Sequence, residues 1–148
     1  MYSILIAAAI IVLDQLIKFQ IVSKVMHFGD IAIIKNFFYL TYVENVGIAF
    51  GMFKNRTWFF IISISLISLV VIYFIYKFYN KNKVIACCLA LILGGAIGNL
   101  IDRIRLGYVI DYLHFKIFPP VFNLADSAIV IGSIALAAYI ILKKDIVL

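Results

Sequence analysis

Four apolar runs, residues 4–22, 57–76, 84–101 and 124–142, limit what this chain can fold into. Each is 18 to 20 residues long, near the ~20 needed to cross ~30 Å of hydrocarbon as a helix. A helix satisfies its own backbone, so four spanning helices are the default solution. Only 14% of residues are charged and 66% are hydrophobic, whereas a soluble domain carries roughly 25% charge. The predicted fold class is an all-α integral membrane protein, one domain over residues 1–148, with a small β-sheet outside the bilayer. Helices are expected at about 4–22, 57–76, 84–101 and 124–142. The first run is kept as a permanent helix, since no basic residue precedes it and no small-residue cleavage pattern follows it.

Against this background four of the seven carboxylates are misplaced. Asp14 lies inside the first run, and Asp102, Asp111 and Asp126 gather around the ends of the last two. A charge near hydrocarbon costs about 3 kcal/mol or more, so each acid needs a partner or a function. Asp14 and Lys18 stand at i and i+4, acid first, the favourable order for an ion pair. They either neutralise each other or anchor a loop or substrate.

Asp111 and Asp126 flank one short connection. Asp111 sits among apolar neighbours in Gly107-Tyr108-Val109-Ile110-Asp111-Tyr112, which disfavours its ionised form. Asn123 is a natural N-cap for the fourth helix and Asp126 falls in its first turn, where backbone amides favour negative charge. Two acids pushed in opposite directions make an acid/base pair able to hold a water.

The third run ends in the stripe Gly95, Asn99, Asp102, Arg103, and Gly94 with Gly98 forms a GxxxG that allows close helix contact. Residues 23–56 read as a surface strand pair, 31–34 and 37–43, divided by a turn at Asn36. Glu44-Asn45-Val46-Gly47 then reads as a break, and Met52, Phe53 and the aromatics at 58–60 as re-entry into the bilayer. His27 and His114 read as interface residues. Adjacent Cys87 and Cys88 read as apolar filler.

The net charge of +6 does not suggest nucleic acid, because the thirteen Lys and Arg residues form no single stripe and suit anionic lipid better. Orientation is only loosely set by charge. Five lysines lie densely at 77–83 and 143–144, on the side of the termini, against seven basic residues spread over the two long connections.

Taken together, Asp14-Gln15-Leu16-Ile17-Lys18, Asn45-Val46-Gly47-Ile48-Ala49-Phe50, Gly94 to Arg103, Gly107 to Tyr112 and Phe122-Asn123-Leu124-Ala125-Asp126 resemble bacterial lipoprotein signal peptidase, the signal peptidase II family. The resemblance implies four transmembrane helices with cytoplasmic termini, in the bacterial cytoplasmic (inner) membrane, and an active site near the outer leaflet. It implies an intramembrane aspartyl endopeptidase that removes the signal peptide of a diacylglyceryl-modified prolipoprotein, just before the lipidated cysteine. The family's catalytic pair carries over onto Asp111 and Asp126. Its supporting positions carry over onto Asp14, Lys18, Asn45, Gly47, Asn99, Asp102, Arg103 and Asn123. No metal or cofactor is expected, and the expected partners are the prolipoprotein and membrane lipids, with the enzyme a monomer. Ile48 stands for the family's usual alanine and Tyr112 for its usual phenylalanine. The rival reading from another class is a small proton-coupled transporter or channel subunit, which would need polar residues through the full membrane depth.

Overall fold

In the computed structural model, which describes residues 2–47 and 57–143, helix α3 (Lys83–Leu106) is the hub. Helices α1 (Tyr2–Phe28), α2 (Thr57–Phe78) and α4 (Leu124–Leu142) each pack against it. All four are long and apolar enough to cross a membrane. Their outward faces carry residues such as Leu5, Leu66 and Ile131, each about three-fifths exposed, a surface that lipid rather than water can cover.

Missing side chains make α3 the hub. A Cβ on Gly94 would lie 2.9 Å from the Ala7 carbonyl oxygen, and one on Gly98 would lie 2.8 Å from Asp14 Oδ2, so the GxxxG face receives α1. Gly95, one step round, receives α4: a Cβ there would run into the Ala125 carbonyl and lie 2.8 Å from the Ile129 side chain. Gly132 returns the contact, with Cys88 O 2.8 Å from where its Cβ would be. Gly95→Val should therefore push α4 off α3. Overpacking of this kind costs about 1–3 kcal/mol, and the expected result is a lower thermal midpoint in detergent than for the same change at exposed Ala8.

Both ends of α3 are capped. Asn82 accepts the Ile85 N–H at 3.2 Å at the start. Gly107, in the left-handed region at φ 85°, closes the end by donating to the Arg103 carbonyl. The helix thus runs five residues beyond the expected 101, and α1 runs six beyond 22. The expected boundaries fell where charged residues began, but helix hydrogen bonding continues past the charges until a cap intervenes. His27 consequently lies in the last turn of α1 rather than in a connection.

At the end of the bundle opposite the termini lies one antiparallel sheet in the order β1-β2-β3-β4: β1 (Ile31–Ile34), β2 (Phe38–Asn45), β3 (Val109–Phe115) and β4 (Val121–Phe122). Asn36, at φ 65°, makes the expected turn between the first two. Strand β2 extends to Asn45, so Asn45 is a strand residue and not part of a break. His114 lies within β3. Strand β3 has two working faces, as alternation demands. Ile110 and Tyr112 pack on Ile21 and Val25 of α1, burial that stabilises by about 1.5–3 kcal/mol per side chain. Asp111 points the other way, opposite Val43 of β2.

Candidate active site

Asn123 is the residue on which the site is assembled. It caps α4: its Oδ1 accepts the Asp126 N–H at 2.8 Å, while Asp126 Oδ2 accepts the Asn123 N–H at 3.3 Å. With the carbonyl so committed, its amide nitrogen faces Asp111 and donates to Oδ1 at 2.7 Å. One fully buried residue therefore donates to both carboxylates, to Asp111 from its side chain and to Asp126 from its backbone, and the two acids share the wall of one cavity.

A second asparagine is oriented by the same logic. Lys18 Nζ can only donate, so the group 3.2 Å away on Asn99 is its oxygen, which also accepts from Asn123 Nδ2 at 3.0 Å. The Asn99 amide is left to donate to Asp126 Oδ1 at 2.7 Å. Asn45, diagonal to Asp111 across the β2–β3 ladder, donates to Asp111 Oδ2 at 2.8 Å. Its own Oδ1 accepts the Gly47 N–H at 3.1 Å, which fixes its amide as well. Each of the four carboxylate oxygens thus accepts one N–H and keeps a lone pair for something else.

Behind the asparagines lies a buried ion triad. Lys18, 2% exposed, stands 2.8 Å from Asp14 and 2.7 Å from Asp102. Asp14 also accepts the Ala125 N–H at 3.0 Å, tying α1 to the first turn of α4. Asp102 accepts the Ile110 N–H at 3.2 Å, tying α3 to β3. The Asp14–Lys18 pair is therefore not merely self-neutralising, and among the described residues its partners lie on α3 and α4 rather than in the connection after α1. It fixes α4, β3 and Asn99. Gln15 belongs to this group and was not expected as a site residue: its Nε2 donates to Asp102 Oδ1 at 2.9 Å and to the Gly98 carbonyl at 3.2 Å. Its signal was available, since Gln15 is a polar residue next to Asp14 within an apolar run.

Asp102 and Arg103 splay to opposite sides of α3. Asp102 faces α1, whereas Arg103 sits 5.1 Å from the Phe60 ring centroid and lines the cavity. The cavity has a volume of about 610 Å³. Asn45, Gly47, Arg103, Asp111, Pro120 and Asp126 are on its wall. Asn99 and Asn123 lie one hydrogen bond behind this wall, and Asp14, Lys18 and Asp102 form the layer behind the asparagines. Ile48, Ala49 and Phe50 of the fingerprint, with Met52, Phe53, Lys54 and Arg56, lie outside the described residues. Tyr112 has a role its usual replacement could not supply: its hydroxyl accepts the Leu124 N–H at 3.1 Å, at the start of α4.

The chain matches one family description, Signal peptidase (SPase) II, over residues 6–142. The chain belongs to the signal peptidase II family. Among its relatives is a lipoprotein signal peptidase of Caldanaerobacter subterraneus, 50% identical over 97% of this chain and 99% of the relative. One from Halothermothrix orenii is 48% identical over 88% and 89%. A solved structure described as a bacterial membrane enzyme superposes with a TM-score of 0.83 at 31% identity, over 99% of this chain and 94% of that one. This signal peptidase II family member is accordingly a hydrolase, an aspartic-type peptidase. The transporter reading finds no support: the relatives are signal peptidases, and an apolar cluster of Phe78, Ile85 and Leu89 packs the termini end of the bundle.

Burial, reinforced by the neighbouring Asp126 charge, pushes the Asp111 carboxyl up to about 7. The opposite push expected for the two acids is not found. Asp111 is buried and Asp126 partly open to the cavity, but both accept two N–H bonds, so hydrogen bonding does not separate them. The sign of the pH effect follows. A carboxyl whose folded value exceeds its unfolded one favours folding when protonated, so its contribution is complete below about 4 and fades as pH rises to about 7. The thermal midpoint of the wild type minus that of Asp111→Asn should therefore fall between pH 4 and 7 and level off above. A flat difference would contradict this.

Proposed function

We propose that this protein cleaves the signal peptide from diacylglyceryl-modified prolipoproteins, just before the lipidated cysteine, with Asp111 and Asp126 as the catalytic pair. The observation that carries the reading is the shared grip of Asn123 on both acids at the wall of one cavity. A water held between the carboxylates loses a proton to the ionised acid while the protonated partner polarises the scissile carbonyl. The gem-diol that forms collapses when a proton passes to the leaving nitrogen. Such transfers typically contribute ~10²–10⁴-fold each.

Charge supports one proton on the pair. Lys18 and Arg103 bring two positive charges to the four carboxylates of Asp14, Asp102, Asp111 and Asp126, so the surplus is negative and one proton on the pair relieves it. Arg103, on the same wall, is placed to steady the oxygen of the reacting carbonyl as charge develops. Asn45, Asn99 and Asn123 aim the pair, and Gly47 lets the backbone lie close to the substrate.

In this reading the protein is a monomer of the bacterial cytoplasmic membrane, with cytoplasmic termini and the sheet at the outer leaflet. The signal helix and lipid enter sideways from the bilayer. The test is cleavage in vitro. Purified protein should cut a diacylglyceryl-modified precursor and leave the unmodified precursor intact. Equal cutting of both, or of neither, rejects the substrate assignment.

A further inference from the structure

Away from the catalytic cavity, α1 and α2 splay apart at the termini end and leave a cleft of about 650 Å³ floored by α3. Its walls are almost wholly apolar, and small residues on α1, Ala7 and Ala8, face Ile72 and Tyr76 on α2, with Leu93 beneath. One end is shut by Tyr2, whose ring stacks on Tyr79 at 5.1 Å and whose hydroxyl donates to the Tyr79 carbonyl at 2.6 Å.

One wall residue is out of keeping. Ser3 is 1% exposed, and its hydroxyl has no hydrogen-bond partner. An unpaired buried hydroxyl costs roughly what a lost hydrogen bond does, so Ser3 leaves an unused donor at the cleft wall. At the same end lie Lys77, Lys81, Lys83 and Lys143, with no carboxylate among the described residues there. Lys81 follows Tyr79 of the cleft wall by two residues.

We propose that this cleft binds one anionic phospholipid of the leaflet on the side of the termini. An acyl chain fills the apolar walls. Its ester carbonyl accepts the Ser3 hydroxyl at the level where tyrosines mark the interface, and its phosphate meets the lysines of the α2–α3 connection. A substrate helix does not fit. At about 10 Å across and about 5.4 Å per turn it fills about 400 Å³ per turn, so the cleft would take about a turn and a half. The Tyr2–Tyr79 closure would then block its passage.

The test uses the full chain, delipidated in detergent, with native mass spectrometry of bound lipid. The probes are dioleoyl-phosphatidylglycerol, dioleoyl-phosphatidylcholine and oleate. One phosphatidylglycerol should bind per protein, about tenfold or more tighter than phosphatidylcholine, whose choline neutralises the phosphate that the lysines would meet. Oleate, lacking the ester and phosphate, should bind more weakly than either. Ala8→Phe, at an exposed position, should lower phosphatidylglycerol affinity by at least about tenfold by filling the cleft, with precursor cleavage unchanged as the control for folding. Ser3→Ala should lower affinity for both phospholipids about fivefold. Lys81→Glu with Lys83→Glu should erase the preference for phosphatidylglycerol. Indistinguishable binding of the three probes overturns the proposal. So does phosphatidylglycerol binding untouched by Ala8→Phe, or a dimer of the chain that Ala8→Phe disrupts.

Discussion

Asp126→Asn and Asp111→Asn are each expected to lower the rate of precursor cleavage by about 10⁴-fold or more, equivalent to about 5 kcal/mol of transition-state stabilisation. Neither variant can share a proton across the pair, so neither can both take a proton from water and polarise the carbonyl. The two losses should not add, since a pair that acts as a unit is disabled by removing either member. The substitution also introduces an amide NH₂ where every carboxylate oxygen already receives an N–H. In Asp126→Asn the new amide must face either Asn99 Nδ2 or the Asn123 backbone N–H. One donor then loses its acceptor, at about 1–3 kcal/mol. Thermal midpoints measured beside the rates separate that cost from the chemistry. A folded single variant that cuts at the wild-type rate would remove that acid from the mechanism.

Lys18→Met should be the most damaging change to stability. It leaves Asp14 and Asp102 facing each other in the interior with their shared counter-charge gone, a loss of about 3–5 kcal/mol. It also removes one of the two donors that hold the Asn99 oxygen, leaving Asn123 alone to aim the Asn99 amide at Asp126. Adding Asp14→Asn and Asp102→Asn to Lys18→Met neutralises the triad and should recover part of the thermal midpoint. Activity should stay below the wild-type level in the triple variant because Asn99 has lost the bond from Lys18 and is held by Asn123 and Asp126 alone. Recovery of full activity would show that Lys18 acts through charge balance alone. Circular dichroism and precursor cleavage on the single and triple variants give both readings.

The parts of this molecule legible in its sequence are those governed by local physics. Hydropathy marked all four helices, because ~20 apolar residues have few other options in a bilayer. Asn123 announced itself as a cap, and the capping box with Asp126 formed as expected. Boundaries were less legible. Asp102, Arg103 and Arg105 looked like the start of a connection, yet they are the last turns of α3, which stops only at Gly107. Asn45 looked like a turn because its strand partner, Val109, is far along the chain. The two-residue strand β4 has no pattern long enough to read. The orientation of Asn99 was beyond reach for the same reason: it is set by donors from two other elements, and only folding brings Lys18, Asn99 and Asn123 together.

The central claim, that two aspartates activate one water, is tested most directly by a single turnover in H₂¹⁸O. Excess enzyme with unlabelled carboxylates is mixed with the diacylglyceryl-modified precursor, and the released signal peptide is weighed. One ¹⁸O atom in its new C-terminal carboxylate, with none in Asp111 or Asp126, is the predicted result. A product free of label, with ¹⁸O in either aspartate, would mean that the carboxylate itself attacked, and would contradict the account.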